Sequence, residues 1–342
     1  MTIQEIMPRR IQARELFGDY WLNGAPVLLG DHHGQIVLVF FWDYSCTASL
    51  RALPYVQDWA KKYESMGLVV VGVHSPRFRF GQDPENVQQA IIRLGIPFPV
   101  VMDNSQMVWS MYSNHSWPAM HLVDKDGYIR CQSSGDGGYI SFERALQTLV
   151  YETSRLDELP DLTEPVRETD RPGAVCYRAT PEILTGYLRG SIGNVEGLAP
   201  ESVVEYTDPG FYVDGRMYFR GPWMNERECF RWQGGVQDDG AVMVRYHGIE
   251  ANLVLEPGGA GIGSMKVEQD GVPLTVANAG RDVQLADNGR SSIGLDGARL
   301  YNIVRNREFG EHLLTLRPQE TGCAVYSLTG VTAVIPELFG SN

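Results

Sequence analysis

FFWDYSCTASLRALPYV, residues 40–56, is the stretch on which the reading of this chain turns. It begins inside QIVLVFFW (35–42), a continuous apolar run bounded by His33-Gly34. Such a run predicts a strand buried on both faces, as in a parallel sheet. A short polar loop follows, and then a segment over 47–63 in which Leu50, Leu53, Val56, Trp59, Ala60 and Tyr63 recur three and four residues apart. That spacing predicts a helix with one apolar face, kinked where Pro54 interrupts it. Cys46 stands at the junction. Unpaired backbone N–H groups and the positive end of the helix dipole favour a thiolate there. The competing reading of a lone cysteine is a small buried hydrophobe.

Strands and helices continue to alternate outward from this stretch. LVVVGV (68–73) predicts a second buried strand, 86–94 a helix ended by Gly95, 98–102 a strand and 107–112 a short helix. Segments 120–123 and 128–131 predict a hairpin around Asp126-Gly127, and 142–151 a closing helix. The expected first domain, 1–151, is therefore a mixed sheet flanked by helices. Residues 152–180 are acidic, carry Pro160, Pro165 and Pro172, and read as an interdomain linker. Over 181–342 helical patterns give way to short β-type runs, among them 242–246, 251–255, 300–304 and 313–316. Turn signals such as Asp270-Gly271 and Asn288-Gly289 punctuate them. That pattern predicts an all-β sandwich or jelly roll.

Composition removes several function classes. The 342 residues include a hydrophobic fraction of 43%, with no run near the ~20 apolar residues of a membrane span. The N-terminus lacks the apolar core of a secretory signal, which points to the cytoplasm. A net charge of −13 disfavours nucleic acid as a partner. The five cysteines contain no Cys-x-x-Cys pair, and an odd, sparse set fits free thiols in a reducing compartment. His32 and His33 are adjacent and make no metal-ligand pattern, so neither a metal nor any other cofactor is expected.

Phe41, Trp42, Tyr44, Ser45, Cys46, Arg51, Leu53 and Pro54 resemble the pattern F-W-T-Y-S-C-x-N-C-x-R-x-L-P. That pattern belongs to thioredoxin-like thiol–disulfide oxidoreductases of the TlpA/ResA branch, and above all to the soluble C-terminal region of DipZ-type proteins. The likeness continues through Gly72-Val73-His74-Ser75-Pro76, Asp103-Asn104, Trp109, Tyr112 and Trp117-Pro118-Ala119. It covers most of residues 10–150, while Trp223, Asp270-Gly271, Leu300-Tyr301 and His312 extend it weakly into the β-rich half, as a carbohydrate-binding-module-like sandwich. The resemblance implies a thioredoxin-like fold, a catalytic Cys46, a cis Pro118 beside it, and a substrate surface formed by Trp42, Tyr44 and Trp117.

The departures from the pattern matter equally. The family's second cysteine aligns with Ser49, its Thr with Asp43 and its Asn with Ala48. A serine hydroxyl cannot attack a mixed disulfide; it can only hydrogen-bond the Cys46 sulfur. Asp43 adds a negative charge that opposes the thiolate. The resulting expectation is a monothiol oxidoreductase whose adducts with protein or small-molecule disulfides are resolved by an external thiol such as glutathione. Two alternatives stand beside it. One is a redox-inactive binding protein; the other is a protein acting through a glycan or protein partner of the sandwich, with Trp223, Trp232, Phe211 or Tyr212 as stacking aromatics.

Overall fold

The computed structural model describes residues 7, 8, 10–154, 158–235, 237–259 and 261–338. The chain divides into two compact units, Met1–Ala174 and Val175–Asn342.

The first unit is built on β1 (Tyr20–Leu22), β2 (Ile36–Trp42), β3 (Leu68–His74), β4 (Val100–Met102), β5 (Ala119–Val123) and β6 (Ile129–Ser134). They lie in the order β1-β4-β3-β2-β5-β6. Strands β2, β3 and β4 run parallel, and β1, β5 and β6 join antiparallel. All seven residues of β2 are buried because both faces are covered. Ile36, Leu38, Phe40 and Trp42 enter a core with helices α1 (Thr47–Lys62) and α4 (Tyr139–Ser154). Val37, Val39 and Phe41 enter a second core containing Val108 and Trp109 of helix α3 (Met107–Met111). This mixed sheet between helices is the thioredoxin-like arrangement.

Local chemistry sets the element ends. Helix α2 (Pro84–Leu94) starts two residues before its apolar periodicity does. The Asp83 carboxylate caps Glu85 N–H at 2.9 Å and Pro84 occupies the first turn. Gly95 ends the helix at φ 62°, a left-handed conformation that favours glycine. Pro54 lies inside α1 without ending it.

Of the segment expected as a linker, residues 155–157 lie outside the described residues, and the chain from 158 onward packs on α1 and α4. Gln147 Nε2 donates to the Pro160 carbonyl at 2.7 Å, and Thr163 N–H donates to Glu143 at 2.8 Å. Val166 N–H donates to the Tyr55 hydroxyl oxygen, and that hydroxyl donates to Asp170, each at 2.7 Å. Arg51 reaches Asp136, Thr169 and Asp170. The acidic composition of this strap thus supplies partners for cationic and hydroxyl groups of α1. Beyond Ala174 the chain belongs to the second unit, where Cys176 bridges Val334.

The second unit is antiparallel through all its strand ladders. Its strands are β7 (Ile183–Leu184), β8 (Val203–Tyr206), β9 (Met217–Asn225), β10 (Phe230–Trp232), β11 (Ala241–Glu256), β12 (Gly263–Gln269), β13 (Val272–Pro273), β14 (Val283–Leu285), β15 (Ser291–Leu295), β16 (Arg299–Pro318) and β17 (Ala324–Val331). Strand β11 pairs with β9 in its first half and with β17 in its second, and β9, β10 and β17 complete a ring with it. Two pairs of expected short strands are each one long strand. Segments 242–246 and 251–255 are both β11, and 300–304 and 313–316 are both β16. The polar stretches between them stay extended because Gly248 pairs with Gly310 and Glu250 with Arg305, across a bulge. Trp223 and Trp232, expected as possible sugar-stacking rings, are both 0% exposed and belong to the core.

Candidate functional site

Strand β2 delivers the chain to a turn over Asp43–Cys46. Cys46 N–H donates to the Asp43 carbonyl at 3.1 Å, and the Asp43 carboxylate accepts from Ser45 N–H at 2.6 Å and from the Ser45 hydroxyl. Cys46 is the N-cap of α1, with φ −101° and ψ 117°, and its carbonyl takes the first helical bond from Leu50 N–H. One helical turn on, Ser49 is fully buried. Its N–H and hydroxyl act on the Cys46 sulfur to lower the thiol's pKa, although Cys46 makes no side-chain capping hydrogen bond, and the Ser49 oxygen accepts from Asp43 N–H at 3.3 Å.

The thiol's environment differs from the sequence expectation. Cys46 is 8% exposed, and burial pushes its pKa above that of an ordinary thiol. The Arg77 guanidinium and the polar groups of Ser49 pull it down, while Asp43 pushes it up as its charge predicts. The helix end alone therefore does not make Cys46 a thiolate; desolvation is the largest influence. Arg77, overlooked in the sequence, sits in the loop after β3. Its N–H donates to Asp43 Oδ2 at 2.9 Å, and its guanidinium lies 5.8 Å from the centre of the Trp117 ring. The sequence signal was a cation directly after Ser75-Pro76.

Trp117 is held from two sides. Its ring stacks on Trp109 at 4.1 Å, and its indole N–H donates to the Ser75 carbonyl at 2.9 Å. The Trp117–Pro118 peptide is cis, and the Pro118 carbonyl accepts from Gly135 N–H at 2.8 Å. Trp42 and Tyr44 are buried in the core and present no surface for a docking partner. They enclose His74 instead, Tyr44 stacked on its ring at 5.4 Å and Trp42 edge-on at 5.3 Å. His74 Nε2 lies 3.8 Å from Asp43 Oδ2, neither ring nitrogen is hydrogen-bonded among the described residues, and burial lowers its pKa.

All five cysteines are free thiols. Cys131 faces Leu122 across the β5–β6 ladder, inside the sheet, and burial pushes its pKa up to about 11. Cys229 and Cys323 are buried in the second unit; Cys176 is half-buried and the most open of the set. Among the described residues no three His, Cys, Asp or Glu side chains gather as a metal site, and no helix is long and apolar enough to cross a membrane.

Comparison with known proteins follows the same division. Residues 16–132 match the AhpC/TSA family, and residues 180–330 match the thioredoxin-like C-terminal domain. Protein DipZ of Mycobacterium tuberculosis is 32% identical over 273 residues, covering 76% of this chain and 36% of its own length. The chain thus spans about a third of that relative. The thiol-disulfide oxidoreductase YkuV of Bacillus subtilis is 29% identical over 157 residues, 45% of this chain and 99% of its own. The thiol-disulfide oxidoreductase ResA of Geobacillus kaustophilus is 27% identical over 128 residues, 37% of this chain and 71% of its own.

Proposed function

The chain belongs to the thioredoxin-like thiol–disulfide oxidoreductase family, and from that premise we propose that Cys46 acts as a single nucleophile. Its thiolate attacks a disulfide R–S–S–R′, forming Cys46–S–S–R and releasing R′–S⁻. An external thiol such as glutathione then attacks the R sulfur, leaves as the new mixed disulfide, and returns the Cys46 thiolate. The observation that carries this reading is Ser49, buried one helical turn from Cys46, where its polar groups lower the thiol's pKa. It stabilises a thiolate through its N–H and hydroxyl but offers no second sulfur. In this reading Trp117 and Pro118 form the docking surface for a protein or small-molecule disulfide. Trp42 and Tyr44 act only from beneath, by fixing His74 and the turn. Five free thiols suit a reducing compartment, and we assign the protein to the cytoplasm on that ground.

The test is reduction of a glutathionylated peptide with glutathione as donor. Turnover is expected, with Cys46→Ser abolishing it and little reduction of insulin. A protein that forms no adduct at Cys46 and shows no turnover overturns the monothiol reading. A second reading, a redox-inactive binding protein, draws on the depth of Cys46 and its raised pKa. It predicts peptide binding that survives Cys46→Ser unchanged.

A further inference from the structure

A cavity of about 180 Å³ opens where the loop after α3 meets edge strand β6. Tyr112, Asn114, His115, His121, Gln132 and Ser134 line it, together with Ser113 and Ser133. His121 is 3% exposed and Asn114 9%. They hydrogen-bond each other, Nε2 to Oδ1, at 2.8 Å. That bond leaves one atom over on each side chain: no group among the described residues bonds His121 Nδ1 or Asn114 Nδ2. Buried polar atoms are nearly always satisfied, and three exceptions on residues lining one cavity call for an occupant; the third, Ser133 Oγ, can donate or accept, so the other two restrict the occupant's chemistry.

The chemistry of the two leftover atoms restricts that occupant. With Nε2–H donating to Asn114, His121 Nδ1 is an acceptor and Asn114 Nδ2 a donor. Turning the Asn114 amide over reverses both roles and still leaves one donor and one acceptor. The complement must therefore offer one donor and one acceptor. A primary amide offers both on two atoms of one planar group, and in a cavity of about 180 Å³ it fills more of the space than a single oxygen does. The cavity is lined by no Asp, Glu, Lys or Arg side chain, and a charged ligand would lose hydration there with no counter-charge. Burial supports the same conclusion by holding His121 neutral, its pKa lowered to about 3.

The position adds meaning. The loop that supplies Asn114 runs directly into Trp117-Pro118, and Ser116 and Ser134 join loop to strand by a hydroxyl–hydroxyl bond of 2.7 Å. We propose that the His121–Asn114 cavity is a binding site for a neutral primary carboxamide, taken from a free small amide or from an Asn or Gln side chain of a partner peptide.

The test is titration of the full-length protein, labelled at histidine ring nitrogens, with acetamide, with sodium acetate, and with a capped Gln-containing peptide. A saturable shift of the His121 resonances by acetamide or the peptide, and none by acetate, is expected. Tighter binding of the peptide identifies a side-chain amide as the source, and tighter binding of acetamide a free amide. Asn114→Leu, which keeps the bulk and removes both amide atoms, should weaken binding about tenfold or more. Wild-type resonances that never saturate with either amide overturn the proposal, as does acetate binding as tightly as acetamide. These readouts do not involve Cys46, so they stand or fall apart from the monothiol mechanism.

Discussion

The Ser49 hydroxyl oxygen lies 3.3 Å from the backbone nitrogen of Asp43 and accepts its hydrogen bond. The same hydroxyl helps lower the pKa of the Cys46 thiol. One small side chain therefore ties the turn before the helix to the thiol at the helix start. A cysteine at this position keeps the i, i+3 placement but exchanges the hydroxyl for a second sulfur. Ser49→Cys should give Cys46 a redox partner, gain insulin-reducing turnover, and lose about two mass units on mild oxidation as the two thiols join. A variant whose mass does not change under oxidant would show that the turn does not accept the second sulfur in bonding position.

The charges around Cys46 pull in opposite directions, and each can be removed alone. Arg77→Gln removes a cation that favours the thiolate, so the pH profile of Cys46 alkylation should move to higher pH. Asp43→Asn removes an anion that opposes it, so the profile should move to lower pH. Iodoacetamide kinetics with peptide mapping follow Cys46 apart from the more open Cys176. Equal profiles in both variants would mean that burial alone sets the thiol's acidity.

Acid should weaken the first unit through two buried histidines. Both His74 and His121 have pKa values lowered by burial, His121 to about 3. A histidine with a depressed folded pKa binds its proton more readily when unfolded. Its stabilising effect is complete above the unfolded value of ~6.5 and is lost as pH falls toward the folded value. His121 alone should remove about 2 kcal/mol of stability by pH 5. Denaturant unfolding of wild type and His121→Phe across pH 7 to 5 measures it, and the variant's profile should be flatter.

The strap over 158–170 should contribute measurably to the first unit. Tyr55→Phe removes the hydroxyl that accepts from Val166 N–H and donates to Asp170. A loss of about 1–3 kcal/mol is expected in unfolding experiments, with faster proteolysis inside the strap. Unchanged stability and protection would mean that the strap holds without this hydroxyl.

Glycines around Trp232 make the corresponding test in the second unit. A Cβ at Gly234 or Gly240 would stand 2.2 Å from the indole ring. Neither glycine has a left-handed φ, so crowding alone is at issue. Gly240→Ala should cost about 1–3 kcal/mol, read as a lowered Tm and a quenched or shifted tryptophan emission.

Much of the first unit was legible because its periodicities are local. QIVLVFFW has no polar alternation, and β2 feeds cores on both of its faces. The i, i+3 relation of Cys46 to Ser49 was equally readable. The depth of Cys46 was not, because the loop after β3 closes on Asp43 through Arg77 N–H, a contact between distant parts of the chain. Strand β9 went unread; Gly221-Pro222 interrupts its apolar run yet lies within the strand, opposite Tyr206 and Glu205. Strand β16 was split in the reading by the polar residues 305–312. Half of them are exposed and half partly buried, none is in the core, and they remain extended through pairing with β11.

The strap also determines where a mechanical load enters the first unit. Tension arriving along the chain from residue 175 passes through Asp170, whose carboxylate is gripped by Arg51 and Tyr55. Those residues lie roughly one and a half and two and a half turns along the same helix from Cys46. At that point force is delivered to the thiol-bearing helix. The carboxylate clamp at Asp170 is the fuse: while it holds, a pull on the connector tugs at the helix of Cys46, and once it parts, the slack of the strap uncouples them.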